Sequence, residues 1–305
     1  MRRLFPLLLV ACTGTRTPSV PGPKVALTFD DLPYQTARGG RPLETTPEAW
    51  RSTTDSILAA LAEDGLTAGV FVNCGNTLPD DRLVDQWRAA GHAIGNHTAH
   101  HRSAAHGELD DWVADLRACD DLWPAGSSDV RWFRFPYLWR GETEDRRDAV
   151  LGALQDGGYT AVPVTVDTHD WLFEFERRKP ETQASPQRQD ALQQLYVDNV
   201  ADALVEARAI SREKLGREVP QILLLHVNDS TAQALPAILD GLERAGVQVV
   251  SVAEAMTDPL YAEPDAWAGR GSRWWLARTA PTQRPDGSPW YADRESALRA
   301  ALDVL

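Results

Sequence analysis

The chain lacks a basic excess, a long apolar run and a set of reactive cysteines, and each absence narrows its chemistry. Lys and Arg number 31 against 44 Asp and Glu, a net charge of −13, and no basic run is longer than residues 177–179. Phosphate backbones are held by clustered Lys and Arg, so this balance argues against a nucleic-acid partner and fits a neutral or cationic substrate better. The apolar stretch near the N-terminus is too short to cross a bilayer as a helix. Of the three cysteines, Cys74 and Cys119 sit in no motif that suggests a nucleophile, and the sequence leaves their pairing open. No internal repeat or low-complexity block is present.

What is there suits one large α/β domain. A length of 305 residues, 43% hydrophobic and 25% charged, is enough for a substantial core. Eleven tryptophans are many for this length; indole faces stack well on sugar C–H groups, although most Trp in any protein serve core or rim. The opening M-R-R-L-F-P-L-L-L-V-A-C reads as a bacterial lipoprotein signal, with a plain secretory signal as the alternative. Residues 1–11 are then a signal peptide, Cys12 the lipidated position, and residues 12–23 a Thr/Pro/Gly tether. The expectation is an exported protein that meets a membrane only through a lipid on Cys12, lying in the cell envelope.

Two stretches carry chemistry. Residues 24–33, K-V-A-L-T-F-D-D-L-P, read as a buried parallel strand ending on two adjacent carboxylates, Asp30 and Asp31. Like charges side by side repel, so an arginine, a protonated histidine or a divalent ion must hold them, unless the pair merely caps a turn. Around residue 97 the chain reads G-N-H-T-A-H-H. His97 and His101 are four apart, the spacing that places two imidazoles on one face of a helical turn. Two histidines and one carboxylate make a three-ligand set for a zinc-type ion with an open position. His100 points away from the other two and reads as a surface or supporting residue.

Strand and helix patterns alternate along the rest. Strands are predicted at 68–73, 92–96, 130–135, 160–166, 221–226 and 247–252, seven with the first. Helices are predicted from 47 to about 63, then at 80–90, 109–122, 143–155, 191–215 and 231–245. Seven β/α units argue for a parallel barrel or a distorted version of one, a (β/α)7 barrel. Asp30, Asp31, Asn73, His97, Arg134, Asp167, Asp170 and His226 all fall at the carboxyl ends of predicted strands, where such barrels carry their active sites. Residues 173–188, polar and Pro-bearing, read as a surface excursion that could wall a cleft. The main domain is expected over 24–260, with 261–305 an extension packed on the barrel and ending in a short helix at 293–302.

Five motifs, T-F-D-D at 28–31, H-T-A-H-H at 97–101, R-F-P-Y at 134–137, D-T-H-D-W at 167–171 and L-L-H at 224–226, resemble in this order the motifs of the polysaccharide deacetylase family, carbohydrate esterase family 4, with its NodB-type domain. The resemblance covers roughly residues 22–258 and implies a metal-dependent hydrolase that removes N- or O-acetyl groups from a carbohydrate of chitooligosaccharide, peptidoglycan or xylan type. It implies Asp31, His97 and His101 as ligands of one divalent ion, zinc first, with cobalt or another ion as alternatives. It implies Asp30 as general base, Arg134 orienting it, and the backbone N–H of Tyr137 as an oxyanion donor placed by Pro136. His226 is the implied general acid, Asp170 the carboxylate that keeps it protonated, with Asp167 a second candidate. Trp171 and Leu224 wall the substrate. Leu32, Arg102, Phe135 and Leu138 depart from the family pattern, and all four are expected along the cleft, Leu32 narrowing the approach to the metal. A metal amidase or esterase on a non-sugar acyl group and a silent carbohydrate-binding lipoprotein are the competing readings.

Overall fold

The structure is a computed structural model and describes residues 22–37, 40–44, 46–78, 82–265, 267–269, 275–278 and 294–305. The expected signal peptide, most of the tether and Cys12 lie outside the described residues.

The sheet is built around β1 (Lys24–Leu32), whose residues are all buried from the second position on. Burial on both faces is what a continuous apolar strand of a parallel sheet requires. The remaining strands are β2 (Gly69–Val72), β3 (Ala93–Asn96), β4 (Arg131–Phe133), β5 (Tyr159–Ala161), β6 (Val166–Asp167), β7 (Gln221–His226) and β8 (Gln248–Val249). All pair in parallel, in the order β5-β4-β3-β2-β1-β7-β6, with β8 against the start of β1.

β5 and β6 are two halves of the one strand predicted at 160–166. Val162 N–H donates to Phe133 at 2.8 Å and Thr165 N–H to Ile222 at 3.0 Å, so the first half pairs with β4 and the second with β7. Pro163 lies between them and has no N–H to give a ladder, which breaks the strand at the point where it changes neighbour. The segment therefore joins the two edges of the sheet and curls seven strands into a distorted barrel.

Crossovers between parallel strands need helices, and the sequence caps them. Thr46 accepts from Ala49 N–H ahead of α1 (Pro47–Glu63), and Thr143 and Asn228 do the same for the fourth and eighth helices. In chain order these are α2 (Leu83–Ala89), α3 (Leu109–Arg117), α4 (Glu144–Asp156), α5 (Trp171–Arg177), α6 (Pro180–Gln183), α7 (Pro186–Leu215), α8 (Asp229–Arg244), α9 (Val252–Ala255), α10 (Trp275–Arg278) and α11 (Arg294–Asp303). α3 is shorter than its predicted 109–122, ending before a separate turn at Asp120–Leu122.

Strand alternation divides the core in two. Leu27, Phe29, Leu223 and Leu225 face outward to the helices with Trp87, Ile57 and Leu235. Ala26, Phe71, Trp132 and Ile222 form a second cluster with Tyr261, Trp275 and Leu276. That second parity continues along β1 as Thr28 and Asp30, just past β3 as His97, and along β7 as Leu224 and His226, so it rises toward the carboxyl ends.

One expectation is refined and one open question is answered. Residues 173–188 are helical, forming most of α5, all of α6 and the start of α7: Phe173 and Glu174 are wholly buried, residues 179–181 are exposed, and the exposed Phe175 lines a cavity. The polar pattern misled because its charge is satisfied internally. Glu174 accepts from Tyr34 Oη, from Ser230 N–H and Oγ, and from Arg177 and Arg178. Cys74 and Cys119, left undecided by the sequence, are joined in a disulfide that closes a loop across 45 positions.

Constraining a loop of this size stabilises a fold by about 3–4 kcal/mol. The Cys74→Ser/Cys119→Ser double variant should lose about that much unfolding free energy, read from denaturant melts. Coincident melts of parent and variant would show that the bridge contributes nothing.

Candidate metal centre and catalytic site

The site begins with a break in strand alternation. Successive side chains of a strand point to opposite faces, yet Asp30 and Asp31 both line one cavity. The register of β1 against β2 shifts between Phe29 and Leu32, and Asp31 takes a left-handed backbone with φ 70°. This strained residue turns the second carboxylate to the side of the first, a conformation that persists only where its surroundings enforce it. Thr36 enforces it, donating to Asp31 Oδ2 from its N–H at 2.8 Å and its hydroxyl at 3.0 Å.

Asp31 Oδ1 is left buried and without a hydrogen-bond partner among the described residues. It faces His97 Nε2 at 3.5 Å and His101 Nε2 at 3.4 Å. The His97 ring is fixed from behind, its Nδ1 standing 2.8 Å from the Arg134 carbonyl, which selects the tautomer that presents Nε2. Burial pushes the pKa of both imidazoles down, and the neutral ring is the ligand form. A buried carboxylate oxygen with no donor, beside two neutral imidazole nitrogens, fits a divalent cation. Asp31, His97 and His101 also form the one such cluster found among the described residues.

The histidine pair is not on a helix, contrary to the reading from its spacing. Thr98 and His101 have φ of 60° and 53°, and the segment is an irregular turn after β3. Side chains shape it: Asn73 Nδ2 donates to the carbonyls of His97 and Thr98, Asn96 Oδ1 accepts from Thr98 N–H, and Thr98 Oγ1 accepts from Arg102 N–H. The four-residue spacing was right about proximity and wrong about its cause. His100 lies on the outside, with Asp115 at 2.6 Å from its Nδ1.

Asp30 meets Arg134 Nη1 at 3.3 and 3.4 Å. The guanidinium is itself held, Nη2 on Thr28 Oγ1 at 3.1 Å and Nε on the Val162 carbonyl at 2.8 Å, over the face of Phe71 at 4.5 Å. Phe71 fits there because Gly95 has no side chain: a Cβ would fall 2.3 Å from the ring. Burial pushes the Asp30 pKa up to about 6, with Arg134 offsetting part of the rise. A carboxylate so poised is a competent general base near neutrality.

His226 is the register partner of Asp30 across β1 and β7. Its Nδ1 lies 2.7 Å from Asp170 Oδ1, and its N–H donates to Asp170 Oδ2 at 2.7 Å. Burial opposes the charge on this ring, but Asp170 outweighs it and the pKa is pushed up to about 10. The ring is thus cationic at neutral pH and stands beside Asp30 on the neighbouring strand. Asp167, the alternative partner, pairs with His169 at 2.8 Å and not with His226.

The cavity above these groups measures about 580 Å³, the size of a drug-like ligand site. Trp171 and Leu224 line it as expected. Tyr137 does too, its ring 4.4 Å from that of His101 and its backbone left-handed at φ 58° just after Pro136. Of the four family departures only Leu138 lines it. Leu32 is wholly buried in the outer core and does not narrow the approach, because the shift at Asp31 turns it away. Phe135 packs on Trp112 in the core, and Arg102 is exposed. Sequence reasoning missed His169, Trp139, Glu295 and Arg299, all on the cavity wall, whereas Phe175 falls in the segment expected to wall a cleft. Only His169 had a signal, a histidine between two aspartates.

The sequence model of the family "Polysaccharide deacetylase" matches residues 17–162. A chitooligosaccharide deacetylase of Sinorhizobium fredii is 31% identical over 176 residues, 56% of this chain and 68% of the relative. Among solved structures, a mutant with restored activity of a carbohydrate esterase family 4 pseudoenzyme from Bacillus anthracis gives a TM-score of 0.52 at 22% identity, covering 78% of this chain and 69% of that one. A mutant of a peptidoglycan deacetylase of Bacillus subtilis gives 0.51 at 19% identity, covering 77% and 91%. These two likenesses bear on the fold.

Because Asp170 is the largest of the groups that raise the His226 pKa, with Asp31 and Asp30 adding to it, Asp170→Asn should lower that pKa from about 10. An NMR titration of the ring checks this. An unchanged midpoint would mean that the pair does not set the charge.

Proposed function

The chain belongs to the polysaccharide deacetylase family of hydrolases, and from that premise we propose that it is a metal-dependent enzyme removing acetyl groups from a carbohydrate. The observation that carries the metal in this reading is the buried, partnerless Asp31 Oδ1 facing two imidazole nitrogens. A divalent ion held by Asp31, His97 and His101, with zinc the first candidate, would act as a Lewis acid toward the acetyl carbonyl and make water easier to deprotonate.

The chain's own residues supply the rest. Asp30, held by Arg134, takes the proton from the attacking water. His226, charged through Asp170, gives a proton to the departing amine or alcohol from the neighbouring strand. The Tyr137 N–H serves as a donor to the oxyanion as charge develops on the carbonyl oxygen. Trp171 and Leu224 hold the sugar against these groups. A chitooligosaccharide, a peptidoglycan strand or an acetylated xylan would all meet this description. A non-sugar acyl group would use the same machinery. A silent binder is disfavoured, since base, acid, their partners and the ligand set are all in place.

Export to the cell envelope, with a lipid on Cys12, belongs to the same proposal. The Cys74–Cys119 disulfide supports it, since such bonds persist in oxidising compartments. Mass spectrometry of the mature N-terminus should find residues 1–11 gone and Cys12 acylated; an intact unmodified Met1 would remove the claim.

The enzymatic reading is tested by acetate release from acetylated chitooligosaccharides, xylan and peptidoglycan fragments, with elemental analysis of the same protein. Asp30→Asn and His226→Ala should lower kcat by about 10²–10⁴-fold each while keeping metal. His97→Ala and His101→Ala should lose both metal and activity. Full metal content in the last two would place the ion elsewhere, and no acetate from any substrate would sink the reading.

A further inference from the structure

The C-terminal helix α11 lies outside every motif of the site and beyond the residues that the family model matches, yet two of its side chains, Glu295 and Arg299, line the catalytic cavity. The helix is fixed to the barrel. Leu298 and Leu302 are buried in the outer core with the helices, and Arg294 donates to Asn199 Oδ1 at 3.2 Å and to Glu206 at 2.5 Å. The face that turns to the cavity is therefore held in place.

That face carries a paired charge set one helical turn apart. Arg299 donates from Nε at 3.0 Å and from Nη2 at 2.8 Å, both to Glu295 Oε1. Among the described residues Glu295 Oε2 and Arg299 Nη1 have no hydrogen-bond partner. The guanidinium also covers one face of Trp171 at 5.2 Å, while Phe175 meets the same indole edge-on at 5.9 Å. On that face the cavity presents a guanidinium and a carboxylate in place of a bare aromatic ring. His169, paired to Asp167, lines the same cavity.

We propose that Glu295 and Arg299 form a sugar-binding subsite, recognising hydroxyl groups of the unit next to the acetylated one. A neutral ion pair with a carboxylate oxygen and further guanidinium N–H groups to spare matches vicinal hydroxyls, which donate and accept in turn. It offers no net charge to an anionic substituent. The acetylated unit occupies the cavity over Asp30, Asp31 and His226, and α11 selects for a second unit, so the preferred substrate is a neutral oligosaccharide over a single acetylated sugar. This rests on the deacetylase reading above.

The test uses the full chain with tri-N-acetylchitotriose, acetylated xylotriose and 4-nitrophenyl acetate. Binding of the trisaccharides is measured by calorimetry and turnover by acetate or nitrophenol release. Losing hydrogen bonds to a charged group weakens binding about tenfold or more. Arg299→Ala and Glu295→Ala should each weaken trisaccharide binding by about that factor. The ratio of kcat/KM on the trisaccharide to that on 4-nitrophenyl acetate should fall alike, with the loss in KM, and Arg299→Lys should recover part of it. Unchanged trisaccharide affinity in both alanine variants overturns the subsite, as does a parent that binds neither trisaccharide. An equal loss on the small ester and the trisaccharide also overturns it, since that marks general damage to the site. A parent that binds a trisaccharide but releases no acetate, with binding lost in the variants, sinks the deacetylase reading and leaves the subsite standing.

Discussion

Two carboxylates buried side by side at the end of one strand are the constraint on which the rest of the molecule depends. Neither Asp30 nor Asp31 can be held there charged without compensation, and removing a counter-charge from a buried ion strands the other at a cost of several kcal/mol. The barrel supplies that compensation from strands far apart in sequence. Arg134 comes from the end of β4, His97 and His101 from the turn after β3, and His226 from the end of β7. Three of them are in turn positioned by a group behind them: Arg134 by the Val162 carbonyl, His97 by the Arg134 carbonyl and His226 by Asp170. A parallel barrel brings such distant residues to one rim because all its strands end on the same side.

The two carboxylates are also made unlike each other. Asp30 touches an arginine that spends its other donors on Thr28 and Val162, so burial is only partly offset and the group titrates high. Asp31 sits among imidazoles and the Thr36 donors, which outweigh burial and keep its pKa low. Environments that push two neighbouring acids apart divide the labour between a proton acceptor and a permanent anion.

Much of this was legible in the sequence, for reasons that can be stated. A strand that ends in D-D, a histidine doublet four apart and a histidine closing the most apolar strand are local patterns, and the seven β/α units follow from period and caps. What stayed hidden depends on tertiary or backbone detail. The turn that joins His97 to His101 is shaped by Asn73 and Asn96, which no periodicity reveals. Leu32 was misplaced because the left-handed Asp31 reverses the alternation that a reader of strands must assume. Residues 173–188 looked like a loop because the partners of Glu174, Tyr34 and Ser230, are about 140 and 56 positions away. Glu295 and Arg299 carry no motif at all; only packing brings them to the cavity.

The strand halved at Pro163 has a bearing beyond closing the sheet. The Val162 carbonyl, the last before the break, is the acceptor that anchors Arg134 Nε, so the peptide at which the barrel changes curvature also aims the guanidinium at Asp30. Curvature and acid–base geometry share one hinge point. Strand side chains alternate with a period of two, so a one-residue insertion or deletion in this seam would present the opposite face of the segment to β4 or β7. Such a change would pull Arg134 off Asp30 while leaving every motif of the site intact, and a scan of those motifs alone would not notice it.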